Sequence, residues 1–490
     1  MAGTKSGRFW AWTWAGIAVA SWLGAWPVAR AEEPAFRAGA AKLDVTPFLD
    51  ELIVGNYGQP PATFVHDPLH VRALVLDDGS TRLAFVTVDS VGVPREVFDS
   101  ARAQAAEKTG IPAGNILSAA THTHSATSSR TGRAFAPPAE PTDYQKFLSR
   151  RISDVIRLAA GNLQPAEIGW GTVDVPGHLF NRRWLLKDGQ KSPNPLGGED
   201  LAVMNPGRDP RLKEPAGPTD PQASFLAVRS PEGRPIALLA NYSLHYVGGV
   251  PNGHISGDYF AVFARKIAER LGEDPDRSPF LGILTNGTSG DVNNIDVQGP
   301  PPAVPPGPYE KMNAVAGDLA DHVAEAYRAA AFRPHVTLAA ASRELVLKVH
   351  KPTEEQLAHA RKVKAMPEDA PLRHPLERIY ADRAFQMLEE PDETSVLIQA
   401  FRVGDLGIAA IPFEVFTEIG LEIKERSPFR PTFTIELANG SSGYLPSPRH
   451  YELGGYETWI GVNLVETGTA PKIVATLLDL FADLAAKSNP

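Results

Sequence analysis

The sequence contains no cysteine among its 490 residues. Without thiols the chain forms no disulfides, holds no metal through cysteine and uses no thiol nucleophile. If such a chain leaves the cytoplasm, its stability depends on its core, because no covalent cross-link restricts the unfolded state. The composition provides for such a core, since 43% of the residues are hydrophobic and 21% are charged, as in soluble globular proteins.

Runs of lysine and arginine are also missing. The formal charge is -9 and the pI is about 5.8, so the chain offers no positive field to a phosphate backbone and nucleic acid is not an expected partner. The sequence shows no internal repeat. Beyond the first 31 residues, no segment is long and apolar enough to suggest a transmembrane helix.

The first 31 residues have the pattern of a signal peptide. Two basic residues precede an apolar stretch that ends in Ala-Arg-Ala at 29–31, small residues that fit a signal peptidase site. We therefore predict export to a periplasm or beyond the cell, cleavage near Ala31 and a mature chain that begins at Glu32. The alternative is an uncleaved membrane anchor. The Ala/Trp/Gly composition favours cleavage, so the mature protein is not expected to insert stably in a membrane.

Extended apolar segments alternate with amphipathic ones along the rest of the chain. Residues 71–93 predict a β-hairpin that turns at Asp77-Asp78-Gly79, and residues 115–124 predict another strand. Further strands are predicted at 224–229, 236–241, 280–285, 395–403 and 406–411, and helices at 142–161, 257–272, 310–331, 414–426 and 470–487. This alternation predicts an α/β fold of mixed β-sheets flanked by helices, in a single large domain over residues 32–490.

Three stretches interrupt this pattern. The Pro/Gly-rich stretches 187–222 and 298–308 are too long for simple connections, and they are predicted either as lids or rim loops of a site or as surface insertions without function. The charged segment 350–394 predicts a solvated helical excursion. Its three histidines are expected at the surface rather than at a metal: His350, His359 and His374.

Candidate metal ligands follow several of the predicted strands. His122 and His124 end the strand at 115–124, where the i, i+2 spacing predicts that both imidazoles point to one side. His245 ends a second apolar segment and Glu414 follows a third. Active sites of α/β proteins gather at the carboxyl ends of strands. Two histidines and a glutamate with an open position form a common catalytic zinc set, although the H-x-H pair alone fits two polar strand-end residues equally well.

These motifs resemble those of the neutral, non-lysosomal ceramidase family. The block ATHTHS resembles the family's first histidine motif, which implies that His122 binds zinc and that His124 transfers protons. The stretch NYSLHYVGGVPNGHISGDYF resembles the second histidine block and implies His245 as a ligand. The segment IPFE resembles the block that supplies a zinc glutamate, which implies Glu414.

Three more motifs of the same resemblance imply residues that contact the substrate or the metal. The pair Asn181-Arg182 resembles the family's N-R pair, in which the arginine lines the active site. The segment NGSSGYLPSPRHYELGGYE implies that Tyr444 contacts zinc and that Tyr456 stabilises the oxyanion. The block GDVNN implies substrate contacts for Asp291 and Asn293. Structural roles are the alternatives, since tyrosines also close cores and an arginine pairs with surface acids.

The resemblance runs from about Ala38 to about Leu464, with two departures. The family block G-D-[VL]-S-P-N has a serine where this chain has Asn293, so a serine nucleophile is lost there while attack by water is not. Full-size members carry a C-terminal immunoglobulin-like domain, which is not expected here because the chain stops after one further amphipathic helix.

The resemblance implies an exported, zinc-dependent hydrolase of sphingolipid metabolism that cleaves the amide bond of ceramide or a related N-acyl compound with metal-activated water. Its cofactor is Zn²⁺ and its partner a lipid or small amide. The alternatives are a zinc hydrolase for a different amide or ester, and a noncatalytic exported binding protein that kept the fold. Four residues flank early strands, where a second metal is the alternative to structural roles: His66, Asp67, His70 and Asp89.

Overall fold

The computed structural model describes residues 1–12, 36–55, 57–127, 135 and 140–486. Most of the predicted signal peptide, including its cleavage site at 29–31, lies outside the described residues. Residues 1–12 are exposed and form no regular secondary structure. The pattern of internal contacts separates Met1–Pro34 from a compact unit, Ala35–Pro490. Among the described residues, no helix combines the length and the hydrophobicity that crossing a bilayer requires.

Every helix and strand of the described residues belongs to the compact unit. The α-helices are α1 (Arg95–Thr109), α2 (Asp143–Gly161), α3 (Asp258–Arg270), α4 (Glu310–Ala329), α5 (Glu354–Lys364), α6 (Glu377–Glu389), α7 (Thr417–Arg426), α8 (Pro448–Leu453) and α9 (Thr469–Ala486). The strands are β1 (Arg37–Asp44), β2 (Ile53–Val54), β3 (Phe64–Val65), β4 (His70–Asp77), β5 (Arg82–Val88), β6 (Ile116–Ala120), β7 (Ala126–Thr127), β8 (Gln164–Pro165), β9 (Glu167–Asp174), β10 (Phe180–Asn181), β11 (Arg183–Leu186), β12 (Ser192–Pro193), β13 (Glu199–Asp200), β14 (Ala202–Met204), β15 (Leu212–Pro215), β16 (Gln222–Arg229), β17 (Pro235–Tyr242), β18 (His254–Ile255), β19 (Leu281–Asn286), β20 (Val292–Asn293), β21 (Leu338–Lys348), β22 (Glu393–Val403), β23 (Leu406–Ala410), β24 (Glu414–Val415), β25 (Thr432–Ile435) and β26 (Tyr444–Leu445).

Three mixed sheets form the centre of the unit, in the orders β6-β5-β4-β1-β8, β19-β17-β16-β9 and β21-β22-β23-β25. Each sheet is antiparallel except for one parallel pair at its edge: β5 with β6, β17 with β19, and β23 with β25. A parallel pair requires a crossover, and the helix within it is α1, α3 and α7 respectively. The structure therefore confirms the predicted mixed sheets and flanking helices.

The strands place alternate side chains on two faces, which explains the near-continuous apolar sequences. In β5, Leu83 and Phe85 join a core shared by all three sheets, whereas Ala84 and Val86 pack toward α1 and α2. Helices α3 and α4 cover the outer face of the second sheet, and α7 and α9 cover that of the third. The shared core holds the three parallel edges in one fixed arrangement.

Several sequence predictions need correction. The predicted helix at 414–426 begins only at Thr417, because Glu414 is held in an extended strand by pairing with Tyr444. The stretch 187–222 is not a simple loop, since β14, β11 and β15 form a small sheet there. The segment 350–394 does contain two helices, α5 and α6.

The three histidines in or beside that segment are only part-exposed. His350 Nδ1 lies 2.8 Å from Asn463 Oδ1, and His359 Nε2 lies 3.3 Å from Glu377 Oε1. His374 packs edge-on against Trp459, with ring centroids 5.4 Å apart. These rings therefore lie at the surface only in part, because neighbouring residues pack against each of them.

Candidate active site

The candidate ligands lie just beyond the parallel edges of the three sheets. His122 and His124 follow β6, His245 follows β17, and Glu414 follows β23. Each of these strands belongs to a β-α-β crossover, so the polar residues collect at the carboxyl ends of parallel strands, as expected for α/β folds. The structure brings together four residues that are up to about 290 positions apart in the sequence.

His122 adopts a backbone conformation that the sequence did not predict. Strand β6 ends at Ala120, and His122 has a φ of 72°, in the left-handed region. Its amide donates to Ser90 O at 2.9 Å, which holds this uncommon conformation in place. The strand is therefore shorter than predicted and is followed by a turn at His122, but both imidazoles point to one place, as the spacing predicted.

The three imidazoles of His122, His124 and His245 meet through their Nε2 atoms. His122 Nε2 lies 3.0 Å from His245 Nε2 and 3.1 Å from His124 Nε2. The rings stand nearly perpendicular to that of His122, at 78° and 83°. Among the described residues this is the one group of histidine and acidic side chains close enough to hold a metal ion.

The contacts of the Nδ1 atoms indicate which tautomer two of these histidines adopt. His122 Nδ1 lies 2.6 Å from Val91 O and His245 Nδ1 lies 3.2 Å from Ser289 O. Because carbonyl oxygens only accept, we assign the proton to Nδ1 in both rings. Their Nε2 lone pairs then face each other across 3.0 Å, an arrangement that a shared cation stabilises.

Glu414 adds a carboxylate to the same point. Its Oε2 lies 3.3 Å from His122 Nε2 and 3.8 Å from His245 Nε2, and this buried oxygen has no hydrogen bond of good geometry among the described residues. Although burial favours the neutral acid, the neighbouring His122 holds the pKa of Glu414 below its usual value. This lowering is the effect of a positively charged His122, so with the neutral rings assigned above a bound cation would be what keeps the carboxylate ionised.

This donor set fits a metal ion of borderline softness such as zinc. Ligand atoms at about 2.0–2.2 Å from a tetrahedral zinc are roughly 3.3 Å apart, close to the 3.0 Å between the Nε2 atoms of His122 and His245 and the 3.3 Å between Glu414 Oε2 and His122 Nε2. The hydrogen bonds to the Nδ1 atoms of His122 and His245 orient both rings, as outer contacts do at metal sites.

His124 is supported differently from the other two histidines. Its ring stacks on Tyr246, with centroids 3.7 Å apart and planes 14° apart. Gly55, at a φ of 121°, lies so close that a Cβ there would meet the imidazole at 2.6 Å. Burial and the neighbouring His122 lower the pKa of His124 well below its usual value, so its neutral form is favoured.

Arg182, Tyr444 and Tyr456 form the opposite wall. Arg182 Nε donates to Glu457 Oε1 at 2.9 Å, while its buried Nη2 has no well-formed hydrogen bond among the described residues. The guanidinium carbon lies 5.3 Å from the Tyr444 ring centre, and the rings of Tyr444 and Tyr456 are 5.7 Å apart. Burial raises the pKa of both phenols, so both remain hydrogen-bond donors. The surface-acid alternative for Arg182 is wrong, since Glu457 is fully buried.

Asp291 forms its hydrogen bonds with other residues of the protein. Its Oδ2 accepts from Asn181 Nδ2 at 2.8 Å, and its Oδ1 accepts from the amide and the hydroxyl of Thr417, both at 2.9 Å. Its carbonyl accepts from the amide of Arg182 at 2.8 Å. These contacts hold the backbone that carries Arg182, while the predicted substrate contact of Asp291 stays a prediction.

The side chain of Asn293 also forms hydrogen bonds within the protein. Its Nδ2 donates to Asn205 Oδ1 at 2.5 Å and its Oδ1 accepts from the amide of Ile295 at 2.9 Å. The amide of Asn205 in turn donates to the carbonyl of Arg182 at 2.8 Å. The asparagine therefore ties β20 to the insertion at 187–222 and, through it, to the Arg182 segment. Its predicted contact with substrate stays a prediction.

Sequence reasoning missed Glu436 behind the histidines. This buried carboxylate accepts from Ser289 Oγ at 2.6 Å and from the amide of Val415 at 2.7 Å. Ser289 and Val415 neighbour the His245 ring and Glu414, so Glu436 links both candidate ligands. Its position just after β25 resembles that of Glu414 after β23, a strand-end signal that could have identified it.

The early acidic residues do not form a second metal group within the described ranges. Asp89 accepts from Arg72 Nη1 and from the amide of His70, each at 2.8 Å. Asp67 accepts from Ser256 Oγ at 2.6 Å and from the amide of Gly257 at 2.7 Å. The geometry therefore gives these residues structural roles in joining the first and second sheets.

Comparison with known proteins gives a match at the level of structure. No family model matches the sequence, and no curated protein matches it either. The crystal structure of neutral ceramidase from Pseudomonas aeruginosa matches with a TM-score of 0.67 and 18% identity, over 92% of this chain and 75% of that chain. A ceramidase structure described as complexed with C2 gives a TM-score of 0.66 at 18% identity, over 92% and 76%. The chain therefore has the neutral ceramidase fold, as its sequence motifs predicted.

Proposed function

We propose that this protein is an exported zinc-dependent amidohydrolase of the neutral ceramidase type, which hydrolyses the amide bond of an N-acyl compound. The observation that carries the proposal is the buried meeting of the Nε2 atoms of His122 and His245 with Glu414 Oε2, within 3.0–3.8 Å. The shared fold supports the same reaction class. A lipid amide or a small N-acyl amide is the proposed substrate.

His122, His245 and Glu414 would hold the metal, with Tyr444 beside Glu414. When bound, zinc supplies Lewis acidity, which lowers the pKa of a water and polarises the substrate carbonyl. His124 Nε2 accepts the proton of the attacking water and returns it to the leaving amine, as a neutral buried imidazole can. Tyr456 and the Nη2 of Arg182 donate hydrogen bonds to the developing oxyanion, worth on the order of 3 kcal/mol per donor.

A zinc hydrolase for a different amide or ester is the second candidate. The observation that favours it is Asn293, whose carboxamide is held by Asn205 and Ile295 rather than left free beside the scissile bond. The metal chemistry is the same in both cases, and only the acyl compound differs. A substrate screen with the zinc-loaded protein distinguishes them.

Metal analysis tests the proposal directly. The purified protein is expected to hold about one zinc per chain, and His122→Ala or His245→Ala to remove most of it, because each deletes one of few neutral nitrogen ligands. His178→Ala is the matched control, since His178 pairs with Asp318 outside the site. Full zinc retention in both ligand variants would overturn the metal site. A zinc-loaded wild type that hydrolyses no N-acyl compound would overturn the proposed activity.

A further inference from the structure

Residues 47–55 and 57–64 form a hairpin-like segment with exposed apolar side chains, called the apolar hairpin below. Its exposed residues, by fraction of side-chain surface, are Phe48 (87%), Phe64 (50%), Leu49 (52%), Tyr57 (49%) and Leu52 (48%). In the described part of the compact unit the other exposed large apolar residues are spread along the sequence, as Val346 and Leu388 are, whereas Phe9, Trp10 and Trp12 are exposed in the separate N-terminal segment. A group of large apolar side chains in water marks a surface that contacts another apolar body.

Backbone hydrogen bonds hold the apolar hairpin in shape. The amide of Asp50 donates to Ala62 O at 2.8 Å, and the amide of Ile53 donates to Pro60 O at 2.9 Å. Ile53 and Ala62 are themselves buried. The segment thus has an inner face packed on the protein and an outer face on which five large apolar side chains are exposed beside polar residues such as Asp50 and Glu51, whereas an ordinary solvated face would be mainly polar.

The inner face of the apolar hairpin reaches the candidate active site. Ile53 pairs with Thr127 and Val54 pairs with Ala126. Ala126 is two residues after His124 in the sequence. Gly55 lies directly against the imidazole of His124. The exposed apolar side chains therefore border the place where the proposed hydrolysis occurs.

The charges of the apolar hairpin limit what it can contact. Its charged residues are Asp50 and Glu51, and it contains no lysine or arginine. The Arg383 guanidinium, 5.7 Å from the Tyr57 ring centre, has its Nη1 buried. Anionic lipids attract basic segments, so this surface suits lipid headgroups without net charge.

We propose that the apolar hairpin docks on the surface of an uncharged lipid layer, with Phe48 and Leu49 inserted among the headgroups, so that His124 and the metal ligands face a lipid amide held there. This inference rests on the proposed function, since a lipid amide is presented in such a layer. Side chains that insert at an interface gain free energy in proportion to the apolar area they bury.

The test is cosedimentation with phosphatidylcholine vesicles. The double variant Phe48→Ser with Leu49→Ser is compared with the control Val346→Ser with Leu388→Ser, which removes two exposed apolar side chains (58% and 44%) away from the apolar hairpin. Each is measured as the full chain and as a form beginning at Glu32, which retains the compact unit. We expect the hairpin variant to lose about tenfold or more in vesicle partitioning and the control to bind as wild type does. Hydrolysis of a soluble short-chain N-acyl amide should be unchanged in both.

Three results would overturn the docking surface. The first is equal vesicle binding by the hairpin variant and wild type. The second is binding that requires phosphatidylserine. The third is a dimer in solution that the hairpin substitutions dissociate, with no vesicle binding by wild type, which would make the surface an interface between copies. A wild type that binds vesicles through the hairpin but cleaves no amide would instead retain the surface and reject the proposed function.

Discussion

At the scale of single residues, the three facing histidines differ in how the protein holds them. His122 and His245 each direct Nδ1 at a backbone carbonyl, at 2.6 and 3.2 Å, which orients the ring and leaves Nε2 as a lone-pair donor. His124 is instead stacked on Tyr246 and pressed against Gly55. Two rings are thus oriented through Nδ1 as metal ligands commonly are, and the third is held by packing, which is the basis of the proposed difference in role.

His124→Ala is expected to keep the metal and to lower turnover by roughly a hundredfold or more, because it removes a general base without removing an oriented ligand. Zinc content and rate must be measured on the same sample, with His178→Ala as the control for loss of an outlying imidazole. If zinc disappears together with activity, His124 is a ligand and the proton acceptor must be sought elsewhere.

Asn293 carries the prediction about substrate. An asparagine whose carboxamide is bound to Asn205 and to the amide of Ile295 cannot reproduce a free hydroxyl beside the scissile bond, and sites built on one such contact discriminate strongly. Ceramide is therefore expected to be a poor substrate compared with another N-acyl compound, and Asn293→Ser to raise kcat/KM for ceramide.

The measurement compares kcat/KM for ceramide and a panel of N-acyl amides in both forms. The control is Asn313→Ser, an exposed asparagine on α4. The hypothesis fails if wild type cleaves ceramide better than every other panel member and Asn293→Ser brings no gain.

At the scale of elements, the sequence predicts what depends on apolar patterning and little of what depends on distant partners. The hairpin of β4 and β5 and helix α2 lie where the periodicity placed them. Glu414 is different, because its extended backbone comes from pairing with Tyr444, thirty residues later. The turn at His122 is set by the carbonyl of Ser90. Local sequence contains neither contact, so it indicated the ligands but not the geometry that brings them together.

Helices α7 and α8 are joined by Glu418, whose carboxylate receives Arg449 Nη2 at 2.6 Å and also binds Ser447. Although burial opposes ionisation, the nearby His450, whose Nε2 lies 3.5 Å from Oε1, and the hydrogen bonds from Arg449 lower the pKa of Glu418 to about 2. A carboxyl with a depressed folded-state pKa stabilises the protein above its unfolded pKa, near 4.5, and this contribution disappears as the pH falls toward 2.

Glu418→Gln is therefore expected to lower the free energy of unfolding by about 2 kcal/mol at pH 7, after allowance for partial exposure. The difference from wild type should narrow as the pH falls from about 4.5 toward 2. Urea unfolding at a series of pH values measures it. Glu422→Gln is the control on the same helix, since the exposed Glu422–Arg426 pair should contribute little. A pH-independent difference for Glu418→Gln would show that its charge is not what joins the helices.

At the scale of the whole molecule, three β-α-β crossovers, one in each sheet, are brought edge to edge over a common core. The sequence predicted two of the three crossover helices, α3 and α7, and most of the strands they join, but it missed helix α1 and strand β25. It did not indicate that their parallel edges face one another, because that arrangement is fixed by packing among Phe85, Ile283 and Phe433, residues from three different sheets. The expectation that active-site residues follow the carboxyl ends of strands nevertheless identified four of the residues that meet at these parallel edges. It could do so because it applies to each crossover separately.

The distribution of the site along the chain has a consequence for biosynthesis. Its residues run from His122 after β6 to Tyr456 beyond β26, and the last sheet is completed only when β25 pairs with β23. Domains of this size acquire native packing as units, so a nascent chain that has emerged only as far as β19 has both ligand histidines and no working centre. If the proposed activity is correct, the protein would be inactive throughout its synthesis and would become active only after the C-terminal third has folded against the rest.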